Sequence, residues 1–473
     1  MEAEEEGKES EAPGRFWHAG NLQTRAHIVS VKRDASFWRL MGDPLKFFRT
    51  VADHERSVAE ISLGGRRFYV VNDPNIIRDI LVTQSGQFEK FPQPNKKQKL
   101  FGKGLLTSEG AAQKEQRRLL LPAFHRERLA VYAGHMVELV ETMSAAWRPG
   151  EIVDVAAFMN TLTLRVIGGS LLGVDDEDVL ARLGRHLATM LHMVNRFVMP
   201  WGDVLMRLPL PSSLRYRAAS DELERMIAKL IADAKTNDGR GDTLLSVLLE
   251  ARRGDGAALT DEEIRDEIVT MIIAGHETVA VGLTWCLHLL AKDRELQRDL
   301  AKRTAAVLGG QDPGVEHYTE LEFLQHAFSE SLRLYPPIWI MGRRAQAPYS
   351  FGDFSAPAKS VFLVCMADLH RRTQFFGDDA SVFRPGRWLN PTWPAYAYIP
   401  FGAGDRRCIG ERFAWLEAVF FLACLLRRWE FTAVYEEPAA VPQLTLHPRG
   451  AVRLKVAKRE TLLMNETASH TSA

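Results

Sequence analysis

Cysteine is scarce. Cys286, Cys365, Cys408 and Cys424 are the four in 473 residues, widely spaced and without a Cys-x-x-Cys pair. This excludes a disulfide scaffold and a structural zinc site, and it fits a reducing compartment, the cytoplasm. Net charge is missing too: 60 Lys and Arg offset 60 Asp and Glu. No overall field draws the chain to nucleic acid or to an anionic membrane, and any charged docking patch is local. The amino-terminal run MEAEEEGKESEAPG is acidic. It lacks both the apolar stretch of about 20 residues that a membrane span needs and the apolar segment of a signal peptide. Internal repeats and low-complexity linkers are absent, so nothing divides the chain.

What is present is 46% hydrophobic residues, enough to bury a large core in one big domain or in two to three ordinary ones. With no divider, the reading is one mainly helical domain over residues 26–460, with a flexible acidic tail at 1–25 and a carboxy-terminal tail at 461–473. Strand signals are few. SVAEISLGGRRFYVVNDP reads as a hairpin around Gly64-Gly65, and Asp73-Pro74 opens a helix behind it. From Ala111 to Lys235 apolar residues recur at three and four, the spacing of amphipathic helices. The exception is FVMPWGDVLMRLPLPSS, where Pro200, Pro209 and Pro211 break the pattern into an apolar loop suited to a lid or entrance.

Thr260 and Glu263 form a capping box before about 30 proline-free residues, so a helix over 260–291 is expected to cross the whole molecule. Thr319 and Glu322 repeat the signal before FLQHAFSESLRLY, which Pro336-Pro337 stops. Short strand-like runs such as KSVFLVCMA and a loop-rich stretch then lead to FGAGDRRCIG and a final helix.

Cys408 therefore stands just before a helix amino terminus, where unpaired N–H groups and the helix dipole lower a thiol pKa. Gly402, Gly404 and Gly410 let the backbone approach a flat ligand and turn sharply beneath it. The position favours a metal ligand or a nucleophile; a buried free cysteine is the plainer alternative.

The run fits Phe-Gly-x-Gly-x-Arg-x-Cys-x-Gly, and with it the chain resembles the cytochrome P450 family of haem-thiolate monooxygenases, in its soluble bacterial form. Average residue usage gives six such matches by chance on the order of once in a hundred thousand chains of this length. The resemblance implies a mainly α fold, a triangular helical prism with a small β-rich side, with haem between the long central helix and the helix after the cysteine. It implies haem b, with Cys408 as axial ligand of the iron, a thiolate that favours O–O cleavage, and Phe401, Gly402 and Gly410 around it. Cys286, Cys365 and Cys424 match no family motif and are read as core residues.

Other motifs gain meaning from the same resemblance. Glu330 and Arg333, three apart on one helix face, and Arg387 in FRPGRW resemble the family's Glu-Arg-Arg cluster, to which we assign a structural role. In AGHET, the small Ala274 and Gly275 imply a groove over the iron for dioxygen. There Thr278 holds a water and Glu277 aids proton delivery, and His276 between them is read as a packing histidine. Arg117, Arg343 and Arg406 stand where the family pairs arginines with the haem propionates. Where the family commonly has tryptophan, this chain has Gln113, whose amide can donate to a propionate.

The implied activity is insertion of one oxygen atom of O2 into a mostly apolar, medium-to-large molecule of fatty acid, terpene, steroid or polyketide type, a chemistry of secondary metabolism. Candidate walls are residues 86–110, the loop around Trp201 and the face near Ile273. About 65 residues follow Cys408, too few for a flavin or iron–sulfur domain. Electrons, ultimately from NAD(P)H, are expected from a separate ferredoxin or flavodoxin with its reductase. Lys114, Arg118, Arg407 and Arg412 form the candidate docking patch. The protein is expected to be a cytoplasmic monomer that binds no nucleic acid and has no membrane anchor. The competing readings are a haem-thiolate isomerase or dehydratase, which needs no Glu277-Thr278 pair, and a haem-binding sensor without enzymatic activity.

Overall fold

The computed structural model describes residues 40, 42–51, 57–63, 66–91, 102–198, 208–236, 241–434 and 438–459. The expected tails, the hairpin turn at Gly64-Gly65, residues 92–101 and the loop around Trp201 lie outside them.

Helices supply most of the mass. After Pro44–Val51 and Pro74–Arg78 come Gly110–Leu120, Arg126–Ala145, Val155–Ile167, Glu177–Val198, Pro211–Thr236 and Leu244–Glu250. The central helix Asp261–Lys292, then Arg294–Leu308, Glu322–Leu334 and the cysteine-proximal helix Glu411–Arg428 follow. Strands are short: β1 (Val58–Leu63), β2 (Arg66–Val71), β3 (Phe88–Phe91), β4 (Ile152–Asp154), β5 (Ile340–Ala345), β6 (Tyr349–Phe351), β7 (Phe354–Ala356), β8 (Val361–Cys365), β9 (Trp429–Ala433), β10 (Ala440–Pro442), β11 (Leu446–Pro448) and β12 (Arg453–Lys458). One sheet runs β1-β2-β8-β5-β3, a second places β12 between β4 and β9, and β6-β7 and β10-β11 are hairpins.

The central helix begins where local chemistry dictates. Thr260 accepts from the Glu263 N–H at 3.3 Å and Glu263 accepts from the Thr260 N–H at 2.8 Å, a complete capping box. The second expected box does not form. Helix Glu322–Leu334 starts after Leu321 without a side-chain cap, and residues 315–321 are turns, so Thr319 lies outside the helix. Asp73 caps Pro74–Arg78 through the Asn75 N–H, with proline at the position whose missing N–H costs nothing.

The core gathers along the central helix, 24 of whose 32 residues are buried. It packs most extensively against Val155–Ile167. Gly275 permits this, because a Cβ there would lie 2.6 Å from Ile167 Cδ1. Both the central helix and the segment Val155–Leu172 are long and apolar enough to cross a membrane, and both are mostly buried in the protein. A second apolar cluster fills the β side, with Tyr69 stacked on Phe362.

Candidate active site

The cysteine loop is a tight backbone turn. Cys408 N–H donates to the Phe401 carbonyl at 2.9 Å, Gly402 N–H to Ile399, and Arg407 N–H to Gly404. Gly402 and Gly404 have φ of 71° and 67°, the left-handed region that glycine tolerates. A Cβ on Gly404 would lie 2.0 Å from the Leu81 carbonyl oxygen, so its closeness serves packing on Leu81. Gly410 lies in a turn with φ −87° and an ordinary distance to Phe124, so the turn there does not require glycine. The half-buried Phe401 packs on Trp415 of the next helix.

Burial pushes the Cys408 thiol up to about 11, although the Gly410 N–H, Arg117 and Arg407 pull it down. This corrects the expectation of a lowered thiol: the helix starts only at Glu411, whose own carboxylate adds negative charge. Cys408 is nonetheless exposed, so its sulfur borders an internal opening. Cys286, Cys365 and Cys424 are buried, with their thiols raised by burial.

Arg343 and Arg406 converge nearby. Burial and the charge of Arg406 lower Arg343 to about 10, and burial lowers Arg406 as well. Arg406 bonds the Ser108 carbonyl at 2.9 Å and pairs with Glu109, the carboxylate they share. Arg117 donates to the Arg407 carbonyl at 2.7 Å. An exposed thiol under the charge of Arg117 and Arg407, with the half-buried Arg343 and Arg406 sharing the carboxylate of Glu109, fits haem with its two propionates. Gln113 does not join them: it is buried, and its amide donates to the Asp405 carbonyl at 3.2 Å.

On the central helix, Ala274 is exposed and Gly275 and Thr278 partly so, whereas His276 and Glu277 are buried. The helix stays regular through this stretch, so the opening owes its space to small side chains and not to a break. Thr278 Oγ1 donates to the Ala274 carbonyl at 2.8 Å. Ile273 is 3% exposed and belongs to the core, so the expected apolar wall is Ala274 and Thr278 instead. Burial lowers His276 to about 4, leaving a neutral packing histidine.

Glu277 Oε1 accepts from Thr445 Oγ1 at 2.8 Å and lies 2.6 Å from His447 Nε2. Burial alone would raise this carboxyl, but those bonds and the histidine charge outweigh it, and its pKa is lowered. Sequence reasoning found neither partner, nor Glu109, nor the wholly buried Glu417 of the cysteine-proximal helix. Burial holds Glu417 far above the carboxylate range, and its oxygens have no hydrogen-bond partner among the described residues.

Glu330, Arg333 and Arg387 come together. Arg333 donates to both Glu330 oxygens at 2.9 and 2.8 Å, and Arg387 donates to Oε1 at 3.2 Å. Trp388 and the Arg384 N–H complete the shell, and Arg333 also bonds the carbonyls of His370, Ala380 and Val382. Of the docking candidates, Lys114, Arg118, Arg407 and Arg412 are exposed. Lys114 faces Asp405 at 3.9 Å, and Arg407 forms a two-pronged pair with Glu411, so part of that charge is neutralised.

A mainly helical body with an exposed cysteine in a glycine-rich turn and a cationic corner fits a haem-thiolate protein. The family model described as Cytochrome P450 matches residues 36–453, and the chain belongs to that family, with its mainly α fold and its haem and O2 chemistry. Pentalenene oxygenase of Streptomyces avermitilis is 32% identical over 432 residues, covering 89% of this chain and 94% of that protein. Cyclooctat-9-en-7-ol 5-monooxygenase of Streptomyces melanosporofaciens is 29% identical over 433 residues, 90% and 92% of the two chains. Cyclooctatin synthase of the same organism is 32% identical over 397 residues, 83% and 86%. The protein is a cytochrome P450 monooxygenase acting on an organic substrate with electrons from a redox partner.

Proposed function

We propose that the protein hydroxylates or epoxidises a terpene-type substrate, mostly apolar and of medium to large size, in secondary metabolism. Support comes from two relatives whose names carry an alkene and an unsaturated cyclic alcohol. It comes also from the small, uncharged face that Ala274, Gly275 and Thr278 offer to the opening. The observation that carries the reading is the exposed Cys408 thiol in its glycine-turned loop, with Arg343 and Arg406 converging on Glu109.

Bound haem b supplies the oxygen activation and accepts the electrons. Cys408 would hold the iron as thiolate, within the turn of Phe401, Gly402 and Gly410. Arg117, Arg343 and Arg406 hold the propionates and orient the ring. Thr278 offers a hydroxyl to water at the opening, and Glu277, ionised at rest one residue away, takes up a proton and passes it on to that water. Glu330, Arg333 and Arg387 lock the stretch before the cysteine and take no part in proton transfer. Electrons come ultimately from NAD(P)H through a ferredoxin or flavodoxin and its reductase, docking on Lys114, Arg118, Arg407 and Arg412. The protein works as a cytoplasmic monomer.

The test is a spectral-shift titration of the ferric holoprotein against a fatty acid, a terpene, a steroid and a polyketide, followed by turnover. The terpene should give the strongest shift and a product one oxygen atom heavier. A stronger response to another class overturns the substrate reading.

A further inference from the structure

Three consecutive residues of the carboxy-terminal hairpin are fastened to the central helix or to its neighbour. Thr445 and His447 reach Glu277 Oε1 at 2.8 and 2.6 Å. Leu446, between them, accepts from Trp285 Nε1 at 2.8 Å and donates its N–H to the Pro337 carbonyl at 2.9 Å. Thr445 lies in the bend just before β11 and His447 within it, so pinning Leu446 between them by its backbone fixes where both are presented. Trp285 is itself immobilised, stacked on Tyr335 with ring centroids 3.8 Å apart. The place of His447 is thus set by contacts that do not involve Glu277.

The two sides of the Glu277 carboxylate differ. Oε1 takes both bonds, while Oε2 is buried without a hydrogen-bond partner among the described residues. A buried carboxylate oxygen left open is costly unless a water or a transferred proton uses it. His447 is 28% exposed at its side chain and Glu277 7%, so of the two the imidazole is the one that water reaches.

We propose that His447 is a positioning residue for proton delivery: it holds Glu277 ionised at rest through Oε1, leaves the Oε2 side free to hand a proton on, and links that carboxylate to solvent. The inference rests on the proton-delivery reading of Glu277 given above. The exchange is balanced. His447 Nε2 gives a proton to Oε1, a half-turn of the resulting carboxyl group carries it to the unpartnered side, where it leaves, and the imidazole regains its proton from bulk water, so the pair ends as it began, a carboxylate beside a histidine. Histidine suits this because its two ring nitrogens can pass a proton between two sides. The titratable groups acting on Glu277 are His447 from the hairpin and the neutral His276 from its own helix. Without the bonds to His447, burial dominates and the carboxyl pKa rises.

The experiment uses the full-length holoprotein, with its carbon monoxide spectrum as the check on folding. Infrared spectra over a pH series, wild type minus Glu277→Gln, isolate the carboxylic acid band of Glu277. The same difference is taken in a His447→Gln and in a His447→Lys background. The band should appear at higher pH with His447→Gln, and near its wild-type position with His447→Lys, which restores a donor. In parallel, photoreduced deazaflavin supplies electrons in air without organic substrate, and the fraction of O2 recovered as hydrogen peroxide is measured. Peroxide takes two protons and two electrons per O2, and water formation takes four of each. His447→Gln should at least double the peroxide fraction and His447→Lys should not. An unmoved infrared band overturns the inference, as does a moved band with an unchanged peroxide fraction, which reduces the pair to a structural tie. If His447→Gln does not fold, Thr445→Val poses the same question, with a smaller shift in the same direction expected and no shift overturning it. If Glu277→Gln itself leaves the peroxide fraction unchanged, the reading of Glu277 fails, independently of the infrared result for His447.

Discussion

Glu330 and Arg333, one helical turn apart and both wholly buried, share two parallel hydrogen bonds of 2.9 and 2.8 Å. A pair this deep repays its desolvation only when every remaining group is satisfied, and Arg387, Trp388 and the Arg384 N–H provide that. Removing the carboxylate leaves the buried Arg333 without its counter-ion and Arg387 with Asp379 alone. Glu330→Ala should lose about 3–5 kcal/mol of stability, as expected for breaking a buried pair, and should be recovered largely without haem. Melting and haem content per chain are the measurements. A variant with normal haem content and slow turnover instead would contradict the structural role.

How much of this was legible in the sequence depended on distance along the chain. The Thr260 box could be read because both partners lie within one turn. Thr319 and Glu322 carry the same pattern, yet the chain enters that helix through turns, and local spacing cannot report the entry angle. Glu330 with Arg333 was visible as a helical pair, and Arg387 only through the family pattern. Thr445 and His447 sit some 170 residues from Glu277, and nothing near either end signals the contact. The raised Cys408 thiol was hidden for a related reason, since burial is a property of the folded whole.

Cys408→Ala should abolish the red-shifted Soret band of the reduced carbon monoxide complex, because no other described cysteine faces the opening. Absorbance of the dithionite-reduced protein under carbon monoxide decides it, and a retained band would move the ligand elsewhere.

Thr278→Ala removes the hydroxyl now bonded to the Ala274 carbonyl. The helix should tolerate this, since alanine is the better helix former. Haem content and substrate-induced spectral shift should stay as in wild type, while peroxide release rises several-fold. Equal coupling of NAD(P)H to product in both proteins would remove Thr278 from the mechanism.

Glu267, also on the central helix, gives a pH prediction. Burial pushes its carboxyl from 4.5 up to about 7, with the Leu105 N–H pulling it partly back. A raised folded pKa contributes stability that is complete below the unfolded value near 4.5 and is lost as pH rises through about 7. Glu267→Gln does not titrate, so wild type should lose stability relative to it across that window, by roughly 2–4 kcal/mol. Melting curves from about pH 4.5 to about pH 8 check the sign; a parallel course for the two proteins contradicts it.

Arg118 and Arg412 are exposed, whereas Lys114 and Arg407 face acidic partners. An Arg118→Glu, Arg412→Glu double mutant should therefore accept electrons from an acidic ferredoxin several-fold more slowly at low salt. The difference should shrink above about 0.1 M, where the Debye length is near 10 Å. Stopped-flow reduction across a salt series measures it, and equal rates at low salt would move the docking face.

The sheet built from β4, β12 and β9 carries a consequence for biosynthesis. Its middle strand is the last one made: β12 pairs Leu454 with Val153, about 300 residues upstream, and with Ala433. Until β12 emerges from the ribosome, β4 and β9 each keep an open edge, a template for pairing with other chains. Chains stalled before residue 453 thus carry two open edges that the finished chain does not, and long-range pairing of this kind is intrinsically slow and aggregation-exposed.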